Sequence, residues 1–173
     1  MPVQGRVHAI NLSRGGVPKR PVLTARVGAM GLEGDHQHDR KHHGGPDRAV
    51  SLWSLEIIEA LALDGHPIHP GATGENLTIA DLDWHRIGPD TRLRIGAATL
   101  LEITTPAAPC TTIKHCFADG NHARISEKLF PGTSRWYARV LAEGWVSAVS
   151  VPRPPASETA AASSAKPTWC MPP

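Results

Sequence analysis

The sequence is short of cysteines and contains no long apolar run. Three cysteines, Cys110, Cys116 and Cys170, are an odd and sparse set, which argues against a disulfide framework and predicts at least one free thiol. No apolar stretch approaches the roughly 18 residues that a membrane helix needs. The amino terminus, MPVQGRVHAINLSRGG, has no apolar signal core. These absences predict a cytoplasmic protein with no membrane partner.

Blocks of like charge are also absent. The formal net charge is +2, and the Lys and Arg residues are scattered along the chain. A protein that binds a nucleic-acid polymer usually concentrates basic residues on one surface, so this pattern argues against such a partner. A chain of 173 residues is long enough to bury the core of one domain.

Short apolar segments separated by glycine and proline recur along the chain. Near-alternation of apolar residues predicts strands at residues 6–12, 21–27 and 48–54. Further short strands are predicted in residues 75–104, where Gly88, Pro89 and Gly96 mark the turns. Strands at this spacing favour a barrel or folded sheet over a parallel α/β layout.

Two segments have the apolar spacing of helices. Residues 55–63 follow Ser54, which can cap the first turn, and end at Asp64 and Gly65. Residues 134–143 have the same kind of spacing and end at Gly144, after which a strand is expected. The predicted fold is therefore mainly β with a few helices, an α+β fold with a barrel-like sheet.

The composition changes sharply at Pro152. Pro, Ala, Ser and Thr dominate from there to the end, without apolar periodicity. Such a segment buries too little apolar surface to offset the entropy of ordering. The sequence predicts one domain in residues 1–151 and a flexible tail in residues 152–173.

Residues 31–50 concentrate glycine, histidine, aspartate and basic side chains. Gly44 and Gly45 let the backbone turn and expose N–H groups, Arg48 can bind a phosphate, and His42 and His43 add ring donors. Residues 71–77, GATGENL, repeat this pattern: Gly74 permits a close backbone approach, and Glu75 and Asn76 can hydrogen-bond a heterocycle. An ordinary turn remains the alternative for each segment.

Cys110 follows the sequence TTPAAP and is expected just beyond the end of a strand. A thiolate is a soft metal ligand, and Lys114 or the Arg48 region can supply positive potential near it. Thr111, directly after the cysteine, is included in the same predicted site. The alternative is that Cys110 is a small buried apolar residue, which is the usual state of a free cysteine.

The histidine cluster allows a different metal hypothesis. His36, His38, His42 and His43, with neighbouring aspartates, offer imidazole ligands for zinc. The spacing matches no established zinc motif, such as a helical His-Glu-x-x-His pair. A zinc site is therefore the lower-ranked alternative.

Six motifs in order resemble the MOSC domain, which is found at the carboxyl end of molybdenum cofactor sulfurases. They are GLEGD, HHGGPDRAV, GENL, RLRIG, TTPAAPC and YARVLAEG. The resemblance covers roughly residues 3–150 and is nearest to the standalone bacterial branch, which includes reductases of N-hydroxylated purines. It implies a barrel-like β fold and binding of molybdenum cofactor, a pterin dithiolene carrying one phosphate.

The resemblance implies that Cys110 is the molybdenum ligand. It also implies that His43, Asp47, Arg48, Glu75 and Asn76 are candidates for the same pocket. The predicted activity is reduction of N-hydroxylated compounds, such as hydroxylaminopurines or amidoximes, with His43 or a buried Asp35 as the proton donor.

An unidentified electron-donor protein would supply the electrons, and the resemblance leaves a homodimer open. The alternative function uses the same cysteine without catalysis. In it the protein carries the molybdenum cofactor, or relays sulfur as a persulfide on Cys110, to another protein.

Overall fold

The computed structural model describes residues 5–36 and 44–149. Ten strands and one α-helix form this part of the chain. The strands are β1 Arg6–Leu12, β2 Arg20–Val22, β3 Thr24–Gly28, β4 Gly31–Leu32, β5 Val50–Ser54, β6 Leu77–Ala80, β7 Arg92–Ile95, β8 Thr99–Ala107, β9 Arg135–Ala142 and β10 Gly144–Ser147. The helix is α1, Leu55–Leu63, and short 3-10 turns occupy Pro46–Arg48, Trp84–Arg86, Thr111–Cys116 and His122–Ile125.

Seven of the strands form one mixed sheet, and three form a second sheet. The large sheet has the order β2-β1-β6-β5-β9-β8-β7, and the small one has the order β10-β3-β4. These pairings leave the described strands as two open sheets, so the barrel-like arrangement is not a closed barrel. The prediction of a mainly β fold with a few helices is confirmed.

Helix α1 connects the parallel pair in the large sheet, β5 and β6. A parallel connection needs a crossover, and a helix is its usual form. The Ser54 side chain accepts a hydrogen bond from the Ile57 N–H at 3.4 Å, as its capping position predicts. Leu55 and Ile58 bury one face of the helix against the sheet. The predicted bounds of this helix are confirmed.

The predicted helix at residues 134–143 is wrong. The structure has strand β9 there, paired with β5 on one side and with β8 on the other. Four successive residues, 135–138, are buried, because both sides of the strand and both faces are covered. Tertiary pairing of this segment, which contains the adjacent aromatic residues Trp136 and Tyr137, has overridden its helical spacing.

Two tryptophans hold the segment that leads into β9. The Trp53 Nε1–H donates to the Thr133 carbonyl at 2.9 Å, and the Trp84 Nε1–H donates to the Ser134 carbonyl at 2.8 Å. Trp53 is fully buried in the apolar core, and Trp84 is 4% exposed. The start of β9 is thereby fixed against the core.

No helix in residues 5–36 or 44–149 has the length and hydropathy of a membrane span. The predicted tail, residues 152–173, lies outside the described residues.

Candidate functional site

A cavity of about 330 Å³ lies where β5, β8 and β9 meet the loops of residues 13–19 and 71–76. Its walls are formed by Gly16, Val17, Lys19, His36, Ser51, Thr73, Gly74, Ala107, Cys110, Thr112, Ile113, Arg135 and Tyr137. The volume lies in the range of small-molecule sites, and a few polar groups converge on a largely apolar wall, as such sites require.

Strand register brings the central wall residues together. Ser51 of β5 is paired with Tyr137 of β9, and Ala107 of β8 is paired with Arg135. Cys110 follows three positions after Ala107, at the start of the turn Thr111–Cys116. The prediction that this cysteine lies just beyond a strand end is confirmed, and its side chain is half-exposed rather than buried.

Two loops close the cavity opposite the sheet, and glycines allow their contact. Gly71 has φ +84°, and its N–H donates to the Glu75 carboxylate at 2.6 Å. A Cβ at Gly71 would lie 2.5 Å from the Lys19 carbonyl oxygen, and one at Gly74 would lie 2.9 Å from Val17. At both glycines the close contact is therefore made to the loop of residues 13–19.

Lys19 and Asp35 form a buried ion pair beside the cavity. The Lys19 Nζ lies 2.6 Å from Asp35 Oδ2, and the two side chains are 7% and 6% exposed. Asp35 also accepts hydrogen bonds from the Ser13 N–H at 2.9 Å and from the Asn76 amide at 2.9 Å. Asp35 therefore positions Lys19 and Asn76, and its role as a proton donor stays a prediction.

Glu75 and Asn76 lie behind the wall, both fully buried. Glu75 accepts from the Gly71 N–H and from the hydroxyls of Thr73 and Thr78. Burial raises the pKa of Glu75 in spite of these hydrogen bonds. Asn76 is hydrogen-bonded to Ser51 and Asp35. The two side chains stabilise the loop of residues 71–76 and do not line the cavity.

Arg135 is a buried cation in the cavity wall. Its side chain donates from Nη1 to the Thr73 carbonyl at 2.5 Å, while its buried Nε has no hydrogen-bond partner. Burial lowers the pKa of Arg135, an effect that Tyr137 and Glu75 oppose. Burial also raises the pKa of Tyr137, which favours the protonated phenol.

Other predicted site residues lie away from the cavity wall. Asp47 is exposed and pairs with Arg139, 3.2 Å from its Nε. Arg48 does not line the cavity, but its guanidinium lies 5.6 Å from the centre of the ring of Tyr137, which does. Further candidates outside the wall are Gly44 and Gly45, which precede the turn Pro46–Arg48, and the exposed Thr111 and Lys114. His42 and His43 lie outside the described residues.

The zinc hypothesis gains no support from the part of the chain that the structure describes. No three His, Cys, Asp or Glu side chains cluster there closely enough to hold a metal ion. Cys116 is 1% exposed, its Sγ lies 3.5 Å from the Ala72 carbonyl oxygen, and burial raises its pKa. These are the features of a small buried residue that packs in the core. His38, His42 and His43 are outside the described residues.

Comparison with known proteins gives a family and several related folds. The family described as the MOSC domain matches residues 39–150. Uncharacterized protein YflK of Bacillus subtilis is 33% identical over 137 residues, which cover 76% of this chain and 59% of that protein. Protein YiiM of Escherichia coli is 33% identical over 127 residues, which cover 69% of this chain and 54% of that protein. The chain thus spans less than two thirds of either relative.

Solved structures agree in fold. YiiM from Escherichia coli has a TM-score of 0.60 and 26% identity, with 83% of this chain and 66% of that chain covered. YiiM from Geobacillus stearothermophilus has a TM-score of 0.62 and 24% identity, with 84% of this chain and 72% of that chain covered.

Proposed function

Because the chain belongs to the MOSC domain family, we propose that it binds the molybdenum cofactor through Cys110 and reduces N-hydroxylated small molecules. The family is associated with this cofactor. The observation that carries the proposal is the position of the Cys110 thiol, half-exposed on a cavity that also contains the cations Lys19 and Arg135.

The chemistry of the wall fits this group. A thiolate is a soft ligand suited to molybdenum held by dithiolene sulfurs. The cofactor is anionic, and the wall contains two cationic side chains, Lys19 and Arg135. The loop of residues 71–76, with Gly74 in the wall, borders the cavity beside Lys19. In this proposal Cys110 holds the metal, while Lys19 and Arg135 provide the surrounding positive potential.

The reaction converts an N–OH group to N–H and water, and consumes two electrons and two protons. When bound, the cofactor supplies the two-electron chemistry, and an electron-donor protein restores it. His36 lines the cavity and is exposed, so it can carry protons from solvent. The Tyr137 phenol, kept protonated by burial, can hydrogen-bond the departing oxygen. His43 stays a predicted proton donor.

Molybdenum content tests the proposal directly. In a host that makes the cofactor, wild-type protein should retain stoichiometric molybdenum, and Cys110→Ala should lose nearly all of it while its melting temperature stays within a few degrees. A half-exposed loop thiol contributes little packing, so the fold should persist. Cys116→Ala is the matched control and should keep the metal. Equal molybdenum in wild type and Cys110→Ala would contradict the assignment.

Turnover tests the reaction. Loaded protein with a chemical reductant should convert benzamidoxime to benzamidine, and Cys110→Ala should not. A persulfide on Cys110, seen by mass spectrometry in protein without metal, would instead support sulfur relay as the function. Zinc that persists in Cys110→Ala would support the histidine site.

A further inference from the structure

Arg135 is the unusual charge in this cavity. It is 8% exposed, and none of the ion pairs in the described part of the chain includes it. Its hydrogen bond to the Thr73 carbonyl leaves the buried Nε–H without an acceptor. A buried charge with unmatched donors is costly to folding, so its retention at a cavity wall indicates a ligand.

No carboxylate among the described residues forms an ion pair with Arg135. Lys19 is already paired with Asp35 at 2.6 Å. Glu75 affects Arg135 electrostatically, but its two oxygens accept from Gly71, Thr73 and Thr78. The guanidinium therefore lines the cavity as a positive charge that no ion pair in the described part of the chain matches. A planar fork of this kind binds carboxylates and other oxyanions with two parallel hydrogen bonds.

The position of Arg135 places such an oxyanion near the reacting group. Arg135 is paired across the sheet with Ala107, and Cys110 follows Ala107 by three residues. All three residues border the same cavity. A molecule whose oxyanion contacts Arg135 would thus have its neighbouring atoms beside the group held by Cys110.

We propose that Arg135 binds an oxyanion of the substrate, so that this protein selects N-hydroxylated compounds that carry a carboxylate or a similar group. The proposal rests on the proposed function for the identity of the reacting group. In this proposal Arg135 determines which substrates the cavity accepts.

A matched pair of substrates tests the selection. Benzamidoxime is neutral, and para-carboxybenzamidoxime adds a carboxylate. Loaded wild-type protein should favour the carboxylated compound in kcat/KM by roughly 10-fold to 100-fold, as expected for hydrogen bonds to a charged group. Arg135→Met should remove the preference, and Arg135→Lys should keep part of it. Arg92→Met is the control, because Arg92 is exposed on β7, pairs with Glu102, and lies outside the cavity wall.

Binding of para-carboxybenzamidoxime to the full chain, made without cofactor, tests the role of Arg135 independently of the proposed reductase activity. Calorimetric titration with para-carboxybenzamidoxime should show binding to wild type that weakens at least roughly 10-fold in Arg135→Met and is unchanged in Arg92→Met. If loaded protein reduces neither compound while this result holds, the proposed function fails and the oxyanion site stands.

Three results would overturn the inference. One is a higher kcat/KM of wild-type protein for benzamidoxime than for para-carboxybenzamidoxime, a result that can be obtained without any variant. Another is unchanged selectivity in folded Arg135→Met. The third is loss of molybdenum from Arg135→Met with the substrate preference retained, which would assign the oxyanion to the cofactor.

Discussion

At the residue scale, the ion pair of Lys19 and Asp35 predicts a measurable stability difference. Both side chains are less than a tenth exposed, so Lys19→Met leaves the Asp35 carboxyl group buried without its cationic partner. We expect a loss of about 3 kcal/mol in the free energy of unfolding, measured by urea denaturation. Lys19→Met combined with Asp35→Asn should recover part of that loss. Asp35→Asn alone completes the double-mutant cycle, and a loss in the double variant equal to the sum of the two single losses would show that the pair does not interact.

Glu75 predicts a pH-dependent stability. Burial raises its pKa, so the native state binds this proton more tightly than the unfolded chain does. The stability contributed by this group is therefore present below the ordinary carboxyl pKa of 4.5 and is lost as pH rises toward the raised value. Glutamine carries no charge at any pH, so the stability of Glu75→Gln relative to wild type should increase as pH rises above 4.5.

Thermal unfolding at several pH values measures this effect. Glu33→Gln is the control, because Glu33 is 60% exposed and should not show the rise. A constant difference between Glu75→Gln and wild type across the pH range would contradict the prediction.

Among single residues, local sequence identified part of the site. Cys110 and Gly74 were recognisable from the proline before the cysteine and from the glycine-rich loop, and both line the cavity. Lys19, Arg135 and Tyr137 were missed, because their place in the wall depends on strand register and loop contacts between distant segments. The sequence RWY offered a partial signal, since adjacent aromatic residues favour a strand.

At the element scale, the loop of residues 71–76 predicts a difference between two glycines. Gly71 and Gly65 have similar φ values of +84° and +90°. A Cβ at position 71 would lie 2.5 Å from the Lys19 carbonyl oxygen, whereas a Cβ at position 65 would have no neighbour within 4 Å. Gly65→Ala should cost about 1 kcal/mol from the backbone alone. Gly71→Ala should cost at least about 2 kcal/mol more, because the loops must separate. Chemical denaturation of both variants checks this, and equal losses would contradict it.

Elements with local signals were predictable, and β9 was not. Helix α1 has its cap at Ser54 and its stop at Gly65, and β1 has near-alternating apolar residues. Strand β9 has Trp136 and Val140 at helical spacing, but its state is decided by β5 and β8, which lie far from it in sequence. Nonlocal pairing of this kind cannot be read from a window of ten residues.

At the scale of the whole molecule, the Pro-, Ala-, Ser- and Thr-rich segment of residues 152–173 predicts a result for truncation. The composition of that segment predicts no contribution to the core. Removing residues 152–173 should therefore change the melting temperature by less than roughly 2 °C, since no core surface would be lost. Differential scanning calorimetry of the full and shortened chains measures this. A fall of more than about 5 °C would show that the segment packs on the domain.

Alternate residues of the interior strand β9 have separate roles. Arg135 and Tyr137 face the cavity, while Trp136 and Ala138 belong to the apolar core. Cavity-lining and core-packing side chains thus occupy interleaved positions of one segment. A mutant library confined to positions 135 and 137 would explore new ligands with the core side chains of the strand unchanged, and lineages could diverge in substrate by the same route.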